Sequence, residues 1–160
     1  MPSIEETAAA VAALLKQRGD SVAVAESSAG GLISAALLAV PGASAYFKGG
    51  GTVYTSASKA LFLDLDPQRM SQIRAATPQH ALDLARAART RLDATWGIGE
   101  TGAAGPTGNR YGDPAGHSCI GIDGPSQHSA TCNTGDTDRS DNMRAFASEA
   151  LVLLEQALRQ

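Results

Sequence analysis

Residues 21–40 read SVAVAESSAGGLISAALLAV, and the way this stretch divides decides the fold. From Ser21 to Ala25 small and β-branched residues alternate over a span short enough for one strand. From Leu32 to Val40 the chain is almost continuously apolar and long enough for a buried helix, which Pro41-Gly42 then stops. Between them lies Glu26-Ser27-Ser28-Ala29-Gly30-Gly31. A strand that empties through a small, glycine-rich turn into a helix opens an α/β unit, and the serines in that turn have two readings. Either one caps the helix, as serine commonly does, or one is a nucleophile beside amides that favour an anion or oxyanion. The turn alone does not separate them.

Working outward, Ile4, Ala8, Val11 and Leu15 recur at helical spacing before Gly19, which predicts a first helix from Ile4 to Arg18. Beyond Pro41, SAYFKGGGTVYT is strand-like but interrupted by Gly49-Gly50-Gly51. Residues Ser56 to Leu65 form a short helical candidate. TPQHALDLARAARTRL predicts a helix capped by Thr77 with Pro78 in its first position. Its expected inward stripe is Ala81, Ala85, Ala88 and Leu92, with Arg86, Arg89 and Arg91 solvated. TWGIGETGAAGPTGN then reads as a strand running into a Gly/Pro loop, and HSCIGID and HSATCNT flank GPSQ as a hairpin. Phe146, Ala150, Leu153 and Ala157 mark a last helix. Strands alternating with helices and a terminal hairpin predict an α/β fold, a three-layer α/β/α sandwich around a mixed sheet. Residues 1–160 are expected to form one domain. Ligands in such folds gather at the carboxyl ends of strands; both the serine turn and the long irregular loop from Gly102 to Gly116 sit there.

The chain has 160 residues, 43% apolar and 18% charged, with a formal net charge of −3. That balance excludes an electrostatic nucleic-acid binder, which carries a basic face. The start MPSIEETAAA lacks a secretory pattern and no apolar stretch approaches the roughly 20 residues of a membrane span, so a cytoplasmic protein with no membrane partner is expected. Cys119 and Cys132 are the only cysteines, without a metal-ligand spacing, and read as buried free thiols in strands. The three histidines are scattered, and no metal or cofactor is assigned.

Four segments, ESSAGG (Glu26 to Gly31), VPGASAYFKGG (Val40 to Gly50), YTSASK (Tyr54 to Lys59) and TGAAGPTG (Thr101 to Gly108), follow in an order that resembles the CinA C-terminal domain family. The resemblance spans essentially the whole chain. It implies an amidohydrolase that converts nicotinamide mononucleotide to nicotinic acid mononucleotide and ammonia in pyridine nucleotide recycling, with a small mononucleotide as substrate and a homo-oligomeric assembly. By resemblance Ser27 is the nucleophile, Lys59 the base, Tyr54 a supporting hydroxyl and Thr101 a substrate contact. Ser28, Gly30, Gly31, Gly50 and Gly105 are the other binding candidates. Amides of the turn from Ser28 to Gly31 would hold the oxyanion, and Tyr54 would bond Ser27 or Lys59. The chemistry is coherent by itself: a serine hydroxyl needs a base, and a lysine serves only if its pKa falls well below the usual value of about 10.4.

The sequence departs from the family at Ser28 and Ala29, which stand for Cys-Thr, and at Thr55-Ser56-Ala57. The family's phosphate-binding arginine falls within TGDTDRSDNMR, where Arg139 and Arg144 both qualify. Larger members carry an additional N-terminal domain, and none is expected within these 160 residues. Two other functions stay open on the residues alone: a nucleotide-binding regulator without catalysis, and an amidohydrolase of another small amide.

Overall fold

The computed structural model describes residues 1–160. It contains helices α1 (Ile4–Arg18), α2 (Leu32–Leu38), α3 (Ser56–Leu63), α4 (Pro67–Gln72), α5 (Pro78–Leu92) and α6 (Arg139–Leu158). The strands are β1 (Val22–Glu26), β2 (Phe47–Thr52), β3 (Trp96–Ala103), β4 (His117–Asp123) and β5 (His128–Asn133). The strands form one mixed sheet in the order β2-β1-β3-β4-β5, with β1 parallel to β2 and β3 and the β3-β4-β5 part antiparallel. Helices cover both faces, as expected of the three-layer sandwich.

Strand alternation sorts the core. Val22 and Val24 of β1, Trp96 and Ile98 of β3, and Ile120 and Ile122 of β4 point to one face, where α1, α2 and α6 bury Leu15, Ile33, Phe146 and Leu151 against them. Ala23 and Ala25 point the other way, into a smaller cluster with Val53, Leu63 of α3, and Leu84 and Ala88 of α5. On that second face α5 lies unusually close to the sheet. A Cβ at Gly97 or Gly99 would come within 2.0 Å of the Ala85 or Ala81 carbonyl oxygen, and one at Gly121 within 2.6 Å of the Ala81 carbonyl carbon. Glycine is what lets the helix backbone approach.

Several elements differ from the sequence reading. Strand β2 continues through Gly49-Gly50-Gly51, because β1 supplies the backbone partners for all of them, with a register shift just before Gly49. Helix α4 was not expected; it buries no residue and so carries no apolar period, although Asp66 caps it and Pro67 opens it. On α5 the inward face is His80, Ala81, Leu84, Ala85 and Ala88, while Leu92 is exposed. The glycine-lined approach makes that buried face wide enough to include a histidine. Arg89 is not merely solvated: it pairs with buried Asp123 at 2.8 Å. On α6, Leu151 and Leu154 fill the core where Leu153 was expected, and Leu153 is half-buried. Cys119 is buried but Cys132 only half so, and both are free thiols. No helix is long and apolar enough to cross a membrane.

Candidate active site at the ends of β1 and β3

The β1–α2 turn is organised by two carboxylates that the sequence reading did not single out. Glu26, fully buried, accepts hydrogen bonds from the Ile33 and Ser34 amides at 3.0 and 2.9 Å and from Ser34 Oγ at 2.8 Å, so it satisfies the start of α2. Glu100, equally buried, accepts from the Ser27 and Ala29 amides at 3.0 and 2.7 Å, from Ser118 Oγ at 2.8 Å, and from Ser28 Oγ. Burial pushes the Glu100 carboxyl up, and the four donors pull it back toward the carboxylate. The anion site expected in this turn is therefore filled by the protein itself. Neither serine caps α2, whose N-cap position is Gly31 at φ +101°. Of the turn amides, Gly30 donates to the Ser27 carbonyl and Ala29 to Glu100, which leaves those of Ser28 and Gly31 free to meet an oxyanion.

Ser27 follows Ala23 and Ala25 on the α3/α5 face by strand alternation. On α3, Lys59 stands one turn before Leu63; on α5, His80 stands one turn before Leu84. Each element thus continues its apolar stripe into a polar residue at the same end of the cluster. Ser27, Lys59 and His80 are 7%, 4% and 3% exposed. Burial lowers the Lys59 ammonium pKa, against an opposing pull from Glu100. Burial, with the Lys59 charge next in weight, brings His80 down to about 4. Ser27 and Lys59 share this polar layer without a hydrogen bond between them, and His80 Nε2 is buried with no partner.

The remaining candidates separate into two groups. A polar pocket of about 240 Å³ at the strand ends is lined by Ser28, Tyr54, Gly105 and Arg139, together with Gly102, Thr107, Gly108 and Asn109. Across it the Arg139 guanidinium donates to the Gly105 carbonyl at 2.5 Å and to Tyr54 Oη at 3.5 Å. Tyr54 is 60% exposed and bonds Arg139, not Ser27 or Lys59 as expected, because its side chain leaves the β2–α3 connection toward the α6 side. Thr101 is buried on the α5 face, where Oγ1 accepts from the Ala76 amide at 2.9 Å. It thereby holds Ala76, at φ +59°, in a left-handed conformation that costs free energy for a non-glycine residue. The long loop is tied down by Arg74–Asp113 at 2.8 Å and by Asn109, whose Oδ1 accepts from the Tyr111 and Asp113 amides.

Three candidates lie elsewhere. Gly50 is packed beneath Ser34 within the sheet and borders a separate, apolar concavity of about 720 Å³ with Phe62 and Leu92. Gly30 sits against Met143 of α6. Arg144, five residues along α6 from Arg139, points to a groove with Ile4, Ala35 and Ala36 between α1 and α2. Helical rotation separates the two arginines that the sequence could not distinguish. Glu26 and Glu100 did leave a sequence signal: each is a lone carboxylate ending an otherwise uncharged strand segment, VAVAE and WGIGE.

The sequence model of the CinA C-terminal domain matches residues 4–158, and the chain belongs to that family. Among relatives, a CinA-like protein of Anaeromyxobacter sp. (strain Fw109-5) is 39% identical over 155 residues, covering 97% of this chain and 38% of that protein. A CinA-like protein of Acidobacterium capsulatum is 36% identical over 144 residues, 90% of this chain and 35% of that one. The chain thus spans little more than a third of these relatives. Among solved structures, the competence/damage inducible protein CihA of Agrobacterium tumefaciens superposes with a TM-score of 0.91 at 30% identity, covering 100% of this chain and 98% of that one. A CinA superfamily protein of Klebsiella pneumoniae 700603 shares the fold, with a TM-score of 0.93 at 23% identity over 99% of each chain.

Proposed function

We propose that this protein hydrolyses the carboxamide of nicotinamide mononucleotide, giving nicotinic acid mononucleotide and ammonia, with Ser27 as nucleophile and Lys59 as base. The observation that carries this reading is Lys59 itself. It is an almost fully buried lysine, held below its ordinary pKa by that burial and placed in one polar layer with a buried serine. A lysine at that position with only a packing role would be expected to reach solvent.

In the first step Ser27 Oγ bonds the carboxamide carbon as Lys59 Nζ takes the hydroxyl proton, and the oxyanion meets the free Ser28 amide. The C–N bond then breaks as Nζ returns the proton to the leaving nitrogen, releasing ammonia. Water, deprotonated by the neutral amine, cleaves the acyl-enzyme. Glu100 keeps the Ser27 backbone in place by accepting its amide. Arg139, at the mouth of the 240 Å³ pocket, supplies the positive charge that a 5′-phosphate needs in an acidic protein.

Ammonia release from nicotinamide mononucleotide tests this directly. The expected result is turnover that falls by roughly 10²–10⁴ in Lys59→Ala and in Ser27→Ala. Binding of the nucleotide with no ammonia release would assign a nucleotide-binding role instead, and release only from another amide would change the substrate.

A further inference from the structure

Lys59 of α3 and His80 of α5 are two buried nitrogen bases, close enough that the Lys59 charge lowers the His80 pKa, and the reaction has so far used only one of them. His80 Nε2 lies fully inside the protein with no hydrogen-bond partner, a condition that native interiors rarely tolerate without a use. Packing does not explain it. The residues that continue the same α5 stripe are Leu84 and Ala88, and an apolar side chain would fill the position without an orphaned nitrogen.

We propose that His80 Nε2 is the acceptor for the Lys59 ammonium, so that once Lys59 has taken the Ser27 proton its N–H turns to this nitrogen, and His80 acts as a positioning residue for the base. The inference rests on the reading of Ser27 and Lys59 as nucleophile and base. His80 neither gains nor loses a proton in this scheme; it offers a lone pair. With its pKa near 4 the ring is neutral at pH 7 and keeps one bare nitrogen. The charged groups around the pair are few. Lys59 feels the charge of Glu100 on β3, which favours the ammonium, and His80 feels the charges of Lys59 and Asp83. Glu100 spends its oxygens on Ser27, Ser28, Ala29 and Ser118, so it contributes charge at a distance but no hydrogen bond to Nζ. Within the layer, His80 Nε2 is the buried acceptor that no donor yet occupies.

The protein has three lysines and three histidines, which makes the pair directly observable by NMR. With labelled lysine, the Lys59 signal is the one lost in Lys59→Met. Removing the acceptor in His80→Phe should lower the Lys59 titration midpoint, raising its acid dissociation constant about three- to tenfold, whereas His80→Gln, which keeps an acceptor, should stay near the unsubstituted protein. An unmoved midpoint in folded His80→Phe overturns the proposal. Independently of any variant, the histidine nitrogen shifts of the unsubstituted protein at pH 7 should show His80 with a bare Nε2 and a protonated Nδ1; the opposite tautomer also overturns it. Both readouts use the free protein without turnover, so failure of the deamidation assay and failure of this inference are separate results.

Discussion

Glu26 and Glu100 stand directly opposite each other in the parallel β1–β3 register, and each turns its carboxylate onto the chain that follows β1. Glu26 takes the first amides of α2, and Glu100 takes the Ser27 and Ala29 amides with two serine hydroxyls. Two buried carboxylates one strand apart persist because each is met by several donors. Glu100→Ala should therefore destabilise the fold by about 3 kcal/mol, since it orphans buried donors at once. Urea unfolding measures this; a loss below roughly 0.5 kcal/mol would contradict the role assigned to Glu100.

The two arginines are predicted to behave differently. Arg139→Ala should raise KM for nicotinamide mononucleotide roughly tenfold or more while leaving the slower reaction of the unphosphorylated riboside nearly unchanged, because a charge-assisted phosphate contact is lost. Arg144→Ala, whose side chain lies in the α1–α2 groove, should leave both unchanged. Equal effects of the two substitutions would remove the phosphate role from Arg139.

His80 should make the protein acid-sensitive. Its folded pKa, about 4, lies below the ordinary 6.5, so the unfolded chain binds the proton more readily. Stability attached to this group is complete above about pH 6.5 and is lost as pH falls toward 4, to a total of roughly 3 kcal/mol. His80→Phe should flatten the stability profile in that window. Thermal unfolding between pH 4 and 7 checks it, and an unchanged slope would count against a buried, neutral His80.

The closeness of α5 to the sheet gives a purely structural test. Gly99→Ala places a Cβ 2.0 Å from the Ala81 carbonyl oxygen, backbone that cannot rotate away. The expected cost is about 1–3 kcal/mol, with the site disturbed as well, because α5 carries His80. Gly19→Ala is the comparison: its Cβ meets nothing, so its penalty comes only from the left-handed φ of +69°.

Much of the architecture was legible in the residues. Helix α1 lies where periodicity puts it, since it buries one well-defined face, and strand β4 lies where its short apolar run puts it, buried on both faces. Helix α4 was not legible because it buries nothing, and the inner face of α5 was misread because its width depends on glycines in strands β3 and β4, beyond the helix itself. At the site, Ser27 and Lys59 were found through the family resemblance. Glu100 was missed because its importance comes from donors on a turn more than seventy residues earlier.

By itself the amino-acid sequence determined the order of every strand and of every helix but α4, the sandwich class and the family, because these follow from local periodicity and from motifs that keep their order along the chain. Only the tertiary structure decided what fills the glycine-rich turn, which arginine reaches the pocket, and that a histidine joins the buried lysine. The reason is physical: anion sites, helix faces and buried orphans are defined by which atoms meet across the sheet, and a carboxylate from β3 occupies amides that the local sequence leaves open.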